Sequence, residues 1–277
     1  MEAVASLHSS ESTTEAEAEA LTDILFLVVV TAAFIGTYQT VVFNLLQTIF
    51  FKQYSHNREA FRKIAYQMTN LTVNLILGTY GLYTFFALVP PLESVSMSSR
   101  ISGFPEYATF GALQVGYNLW ALPIGLFFMK ESKAMMAHHC AVIIVGSISA
   151  FCRNGFRYHA PFFFGAIEIS SVPLAIMNFC KDHEELTKKH VPGLAGLIRP
   201  VFAVVFLVVR VIMWAPLIVD VLKSAALLGM ACDTASCKVG IGSFWFSALF
   251  LTLLQFYWAH IIVIGIVKLL KGKKKHP

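Results

Sequence analysis

The sequence predicts an all-α polytopic membrane protein, a transmembrane helical bundle of about seven spans, and three observations predict it. Of 277 residues, 57% are hydrophobic and 13% charged, with a mean hydropathy of +0.67; a soluble domain carries roughly 25% charged residues. The apolar runs are continuous and near the ~20 residues that a spanning helix needs, not the alternating segments of about ten that a membrane barrel shows. Lysines and arginines fall on alternate loops. With no water at membrane depth, the backbone must satisfy its own polar groups, which selects a helical bundle.

Taken in order, residues 1–21 (MEAVASLHSSESTTEAEAEAL) are acidic, rich in Ser and Thr, and free of Lys and Arg. Without the basic segment of a signal peptide, they read as a disordered lumenal tail. The first span, residues 22–51, is long enough to tilt and reads as an uncleaved signal anchor; with the loop 52–63 it forms a leading unit, residues 22–60. The following spans are residues 64–90, ended by Pro90–Pro91; 108–129; 134–152, entered through the tight KESK turn 130–133; 161–180; 200–230, interrupted by Arg210 and Pro216; and 242–267. The loop 181–199 is polar, with a helix-breaking Pro192–Gly193. Residues 61–269 form the main transmembrane domain and 270–277 a basic tail.

Seven spans place the termini on opposite sides. Loops 52–63, 130–133 and 181–199, with the segment 268–277 after the last span, hold 15 of the 21 lysines and arginines; the other loops and the N-terminal tail hold four, and two lie within the sixth span. The positive-inside rule then puts the N-terminus in the lumen and the C-terminus in the cytosol. The net charge of +5 is spread over these loops, so it is a topology signal and no evidence for nucleic acid. Five cysteines show no C-x-x-C or other metal-binding spacing. Cys232 and Cys237 fall in a lumenal loop where an oxidising compartment permits a disulfide; two free thiols are the alternative. Lys274 and Lys275, fourth and third from a cytosolic end, fit the dilysine pattern read by retrieval coats, which favours the endoplasmic reticulum. The alternative is that they simply flank the last span.

Polar side chains inside the spans are the candidate functional core, since such residues at membrane depth are expensive and face the protein interior or a wet cavity. His138 and His139 lie about 6–8 Å from the cytosolic face, Arg210 about 15 Å and Glu168 about 18 Å, from a rise of about 1.5 Å per residue. Glu168 and Arg210 therefore share a level and are expected to pair, because an unpaired charge there is costly. With Tyr117, Asn118, Ser170 and Ser171 they make a polar seam running inward. Adjacent histidines point about 100° apart, which does not suit a shared metal, and no metal site is expected. One histidine as base and the other as orienter suits proton abstraction from an amine or hydroxyl; two interfacial histidines are the alternative. For Glu168 the alternative is a purely structural pair with Arg210, and for Gln114, Asn118, Asn70 and Asn74 it is interhelical hydrogen bonding.

Gly116–Tyr117, His138–His139–Cys140–Ala141, Glu168–Ile169–Ser170–Ser171–Val172–Pro173–Leu174, and Phe206 and Arg210 with Pro216, in this order on successive spans, resemble the TLC-domain family, the membrane proteins that include ceramide synthases. The resemblance runs from about Phe61 to Leu269. It implies an endoplasmic-reticulum membrane and a helical bundle around a lipid-holding cavity. In the ceramide synthases the paired histidines are taken as the active site for transfer of a fatty acyl group from acyl-CoA to a sphingoid amine; His138 and His139 stand at the matching place. Those enzymes follow their histidines with aspartates, whereas this chain has no Asp between His139 and Lys181, and no acidic residue in Asn118–Leu119–Trp120–Ala121. The resemblance is closer to the non-synthase branch, whose members influence membrane phospholipid composition or act in lipid handling and export.

The expected function is a multi-pass endoplasmic-reticulum protein that binds membrane lipid and affects lipid composition, with no cofactor. An acyl-CoA-dependent N-acyltransferase, with acyl-CoA as co-substrate, and a non-enzymatic sorting or trafficking factor are the two alternatives.

Overall fold

The computed structural model describes residues 2–54 and 58–273; the dilysine pair Lys274–Lys275 lies outside the described residues. Seven helical segments are long and apolar enough to cross a membrane, and no strand occurs among the described residues.

The first helix, α1, spans Glu2–Tyr54 and takes in the acidic stretch that the sequence reads as a disordered tail. Glu and Ala alternate through residues 15–20, and both are strong helix formers, so the acidic stretch continues the apolar helix as helix. Next, α2 (Arg58–Tyr83) runs on through a π turn (Thr84–Leu88) and stops before Pro90–Pro91. The expected loop 92–107 is ordered around α3 (Met97–Ser102), whose N-cap Ser96 accepts from the Ser99 amide. The third span, α4 (Ala108–Ile124), also ends in a π turn (Gly125–Met129), and α5 (Lys133–Phe151) is capped by Ser132.

The fifth span, expected as one helix over 161–180, is broken. It consists of α6 (Ala160–Phe163), a 3₁₀ stretch (Ala166–Ser170) and α7 (Ser171–Asp182). Pro173 has no amide to donate back to Ile169, and its ring disfavours helical backbone just before it. Irregular backbone at this depth persists only when buried in protein, and Ala166, Ile167, Glu168 and Ser170 are all buried. Gly78 and Gly81 of α2 make the room: a Cβ on either would overlap the backbone of residues 165–169.

The loop 181–199, expected as a polar linker, carries α8 (Glu184–His190) and the first turn of α9 (Leu194–Leu207), so the sixth span begins before Pro200. It passes through a third π turn (Val208–Met213) into α10 (Trp214–Ala231). Pro216, early in α10, cannot donate to Ile212 and would crowd its carbonyl, so the backbone widens just ahead of it. The last helix is α11 (Ala235–Lys273), joined to α10 across a Cys232–Cys237 disulfide.

The helices close a ring: α2 packs on α7, α7 on α9, α10 on α11, α11 on α5, α5 on α4, and α1 bridges α4 and α2. The ends of the ring differ in charge. The end where α2, α5 and α9 start, called the basic end below, takes most of the lysines and arginines. Toward the opposite end the interior is filled by Phe110, Phe162, Tyr107, Phe156, Trp214 and Phe244.

Candidate functional site

Toward the basic end the ring encloses a cavity of about 310 Å³ walled by α2, α4, α5, α7, α9 and α11. The sequence-predicted residues Tyr117, Asn118, His138, His139, Glu168, Ser170, Ser171 and Arg210 all line it. Cys232 and Cys237 sit away from it, between α10 and α11.

The walls that carry Glu168 and Arg210 are set by local irregularities in the backbone. The 3₁₀ stretch presents Glu168 and Ser170, and the π turn presents Arg210. Arg210 Nη2 donates to Glu168 Oε2 at 3.3 Å and Ser171 Oγ at 3.1 Å, and Arg210 Nε to Ser170 Oγ at 2.6 Å. Ser171 Oγ donates to Glu168 Oε2 at 2.7 Å. Arg210 Nη1 carries no hydrogen bond to a described residue.

From Glu168 a hydrogen-bonded chain runs to the basic end. An ionised carboxylate only accepts, so Gln114 turns its Nε2 toward Glu168 Oε1 (2.9 Å) and donates also to the Phe164 carbonyl (3.2 Å). Gln114 Oε1 is then left to accept from Asn118 Nδ2 at 3.0 Å, and Asn118 lies one helical turn along α4 on the same face. Asn118 Oδ1 in turn meets His139 Nδ1 at 2.6 Å and accepts its proton. The carboxylate of Glu168 thus orients two amides and fixes the tautomer of a histidine on a third element. Gln114, Asn118, His139 and Arg210 are all no more than 6% exposed.

At the far end of the chain, His139 Nε2 faces Glu131 Oε2 at 3.4 Å, and neither atom has a hydrogen-bond partner. With Nδ1 carrying the hydrogen, neutral Nε2 presents a lone pair to a carboxylate. The N–H or O–H of a ligand beside the two would satisfy both. Glu131 was not legible as a site residue, since the KESK segment reads as a polar turn. Lys130 adopts a left-handed conformation after the π turn and folds Glu131 back under α4. There the Tyr66 hydroxyl donates to Glu131 Oε1 at 2.7 Å. Gly125 leaves room for this seat: a Cβ there would lie 2.9 Å from Glu131 Oε2 and 2.8 Å from the Met136 methyl, so both side-chain ends would have to shift.

His138 takes no part in the chain. Its ring packs edge-on against Trp258 with centroids 5.5 Å apart, and its Nδ1 is buried without a partner. Tyr117 donates to Asn70 Oδ1 at 2.8 Å and forms the wall against α2. No cluster of metal-ligating side chains occurs among the described residues.

Comparison with known families finds a match to the TLC domain over residues 60–264, about three quarters of the chain. No curated protein and no solved structure matches.

Proposed function

The chain belongs to the TLC-domain family, and from that premise we propose that it binds a membrane lipid inside the bundle and thereby affects membrane lipid composition. The observation that carries this reading is the cavity of about 310 Å³, apolar along α9 and α11 and polar along α4, α5 and α7. Such a division suits a molecule with one polar and one apolar end. Arg210 Nη1 and the Glu131–His139 pair are the groups left to meet its polar part. Lipid extraction from the purified protein, followed by mass spectrometry, tests it. Wild type is expected to retain a defined lipid that Asn118→Leu releases; equal lipid in both would count against the reading.

The endoplasmic reticulum, with a cytosolic C-terminus, is the membrane we propose, supported by the distribution of lysines and arginines and by the Lys274–Lys275 pattern. That pattern is also the one support for a sorting or trafficking role through a retrieval coat. The Glu131–His139 pair favours a second reading, an acyl-CoA-dependent N-acyltransferase. In it the pair takes the proton of the attacking amine and acyl-CoA is the co-substrate. Membranes lacking ceramide synthase separate the two. Acyl transfer to sphinganine by wild type, abolished by His139→Ala, supports the enzyme; no transfer by either protein, with lipid still bound, leaves the binding protein.

A further inference from the structure

His139 Nε2 and Glu131 Oε2 stand 3.4 Å apart, both buried and both without a hydrogen-bond partner. Each side chain is already held through its other polar atom. His139 Nδ1 donates to Asn118 Oδ1 at 2.6 Å, and Glu131 Oε1 accepts from the Tyr66 hydroxyl at 2.7 Å. Two lone pairs are thus set side by side by partners that leave them free.

The spacing decides what can bridge them. A water or amine that spends two hydrogens on two acceptors holds each at about 2.9 Å and a tetrahedral angle, which sets them about 4.7 Å apart. A direct N–H···O bond draws the pair in, as in the other buried histidine–carboxylate pair of this protein, His159 Nε2 and Asp220 Oδ2 at 2.7 Å. The observed 3.4 Å is too short for the first and too long for the second. Two ligands about 2.1 Å from a tetrahedral metal ion lie about 3.4 Å apart.

We propose that His139 Nε2 and Glu131 Oε2 are ligands of a zinc ion at the basic end of the cavity. One imidazole nitrogen and one carboxylate oxygen form a donor set that zinc takes, whereas magnesium and calcium ask for oxygens alone. A histidine that binds metal gives its other ring N–H to an oxygen that fixes its tautomer. Asn118 Oδ1 holds that place, and it is itself held through Gln114 by Glu168. The ion lies between His139 and a carboxylate from the preceding turn, not between the tandem histidines. Among the described residues no third His, Cys, Asp or Glu completes the set. The site is therefore open, and its remaining positions go to water or to an oxygen of whatever occupies the cavity that both residues line. This inference does not rest on the lipid-binding reading.

The test uses untagged full-length protein in detergent, stripped with EDTA, equilibrated with zinc sulfate and freed of excess metal. Mass spectrometry of the metal should find about one zinc per chain in wild type. Removing an outer partner costs about 10–100-fold in metal affinity, so Tyr66→Phe should weaken zinc about tenfold, and His139→Ala or Glu131→Gln at least as much. His138→Ala should bind as wild type does. Zinc should raise the unfolding temperature of wild type but not of Glu131→Gln. Cobalt(II) in its place should give the visible absorption of a four-coordinate ion. If Glu131→Gln fails to fold, Tyr66→Phe against His138→Ala decides alone. No stoichiometric zinc in wild type, equal zinc in wild type and both ligand variants, or equal loss in His138→Ala and His139→Ala overturns the proposal. If lipid stays on a protein that takes up no zinc, this inference fails and the lipid-binding reading stands. Zinc bound in the absence of any lipid upholds the site and removes that reading instead.

Discussion

Two clusters in this bundle pair a histidine and an arginine with a carboxylate, and they differ in what they leave unsatisfied. Away from the basic end, Asp220 Oδ2 accepts from His159 Nε2 at 2.7 Å and Oδ1 from Arg100 Nη1 at 2.8 Å. Arg100 spends its other donors on the carbonyls of Leu92 and Val95. This ties the segment around α3 to α10, and of its polar side-chain atoms only His159 Nδ1 is left without a partner. Around the cavity, by contrast, Glu131 Oε2, His138 Nδ1, His139 Nε2 and Asn74 Oδ1 are all buried and unpaired. Buried polar groups are normally satisfied. Several orphans around one hollow fit the ligand proposed for it, whereas a closed network fits a fastening. Charge alone does not separate the two clusters; satisfaction does.

The largest expected effect tests whether the Glu168–Arg210 pair belongs to the fastening class despite its place in the wall. Arg210→Met leaves Glu168 buried with no cation, a loss of about 3–5 kcal/mol. Glu168→Gln/Arg210→Met, which removes both charges, should recover most of it. Thermal unfolding in detergent reads both. If the double variant is no better than the single, the pair is not what holds these residues in place.

Next comes the opposite cluster. Asp220→Asn turns two charge-assisted hydrogen bonds into neutral ones at best, about 2–3 kcal/mol of stability, and should leave bound lipid unchanged. Asn118→Leu is the converse. It cuts the chain between Gln114 and His139 and leaves Gln114 Oε1 and His139 Nδ1 without a partner, at about 1–3 kcal/mol, yet bound lipid should fall severalfold by mass spectrometry. Should Asp220→Asn release lipid as readily as Asn118→Leu, the division between fastening and binding region collapses.

Much of this division was out of reach of the sequence, for definable reasons. Continuous apolar runs and alternating basic loops are one-dimensional features, so the seven spans could be read directly. The common level of Glu168 and Arg210 could be read as well, since it needs only a constant rise per residue, and the two meet in the structure. What could not be read depends on departures from that constant rise. The break after Phe163 and the π turns at Gly125 and Val208 rotate the chain out of helical phase. It is these that aim Glu131, Glu168 and Arg210. Glu131 looked like half of a charged turn because nothing local says that Lys130 turns left-handed beneath α4.

The smallest effect concerns pH and the rim of the basic end, outside the spans. His183, between α7 and α8, packs against Phe179 with ring centroids 5.2 Å apart and the rings tilted by 46°. Burial holds its imidazole below the usual value of 6.5, Lys63 adds to the depression, and Asp182 opposes it. The folded protein therefore binds fewer protons here than the unfolded chain, so stability from this residue is present above about pH 6.5 and is lost as the pH falls below that and through the depressed folded-state value. His183→Gln, which cannot titrate, should flatten the drop in unfolding temperature between pH 7.5 and pH 5.5 slightly, without altering bound lipid at either pH. A change in lipid content with His183→Gln would extend the binding region beyond the cavity to its rim, and the boundary between the two regions would have to be redrawn at α8.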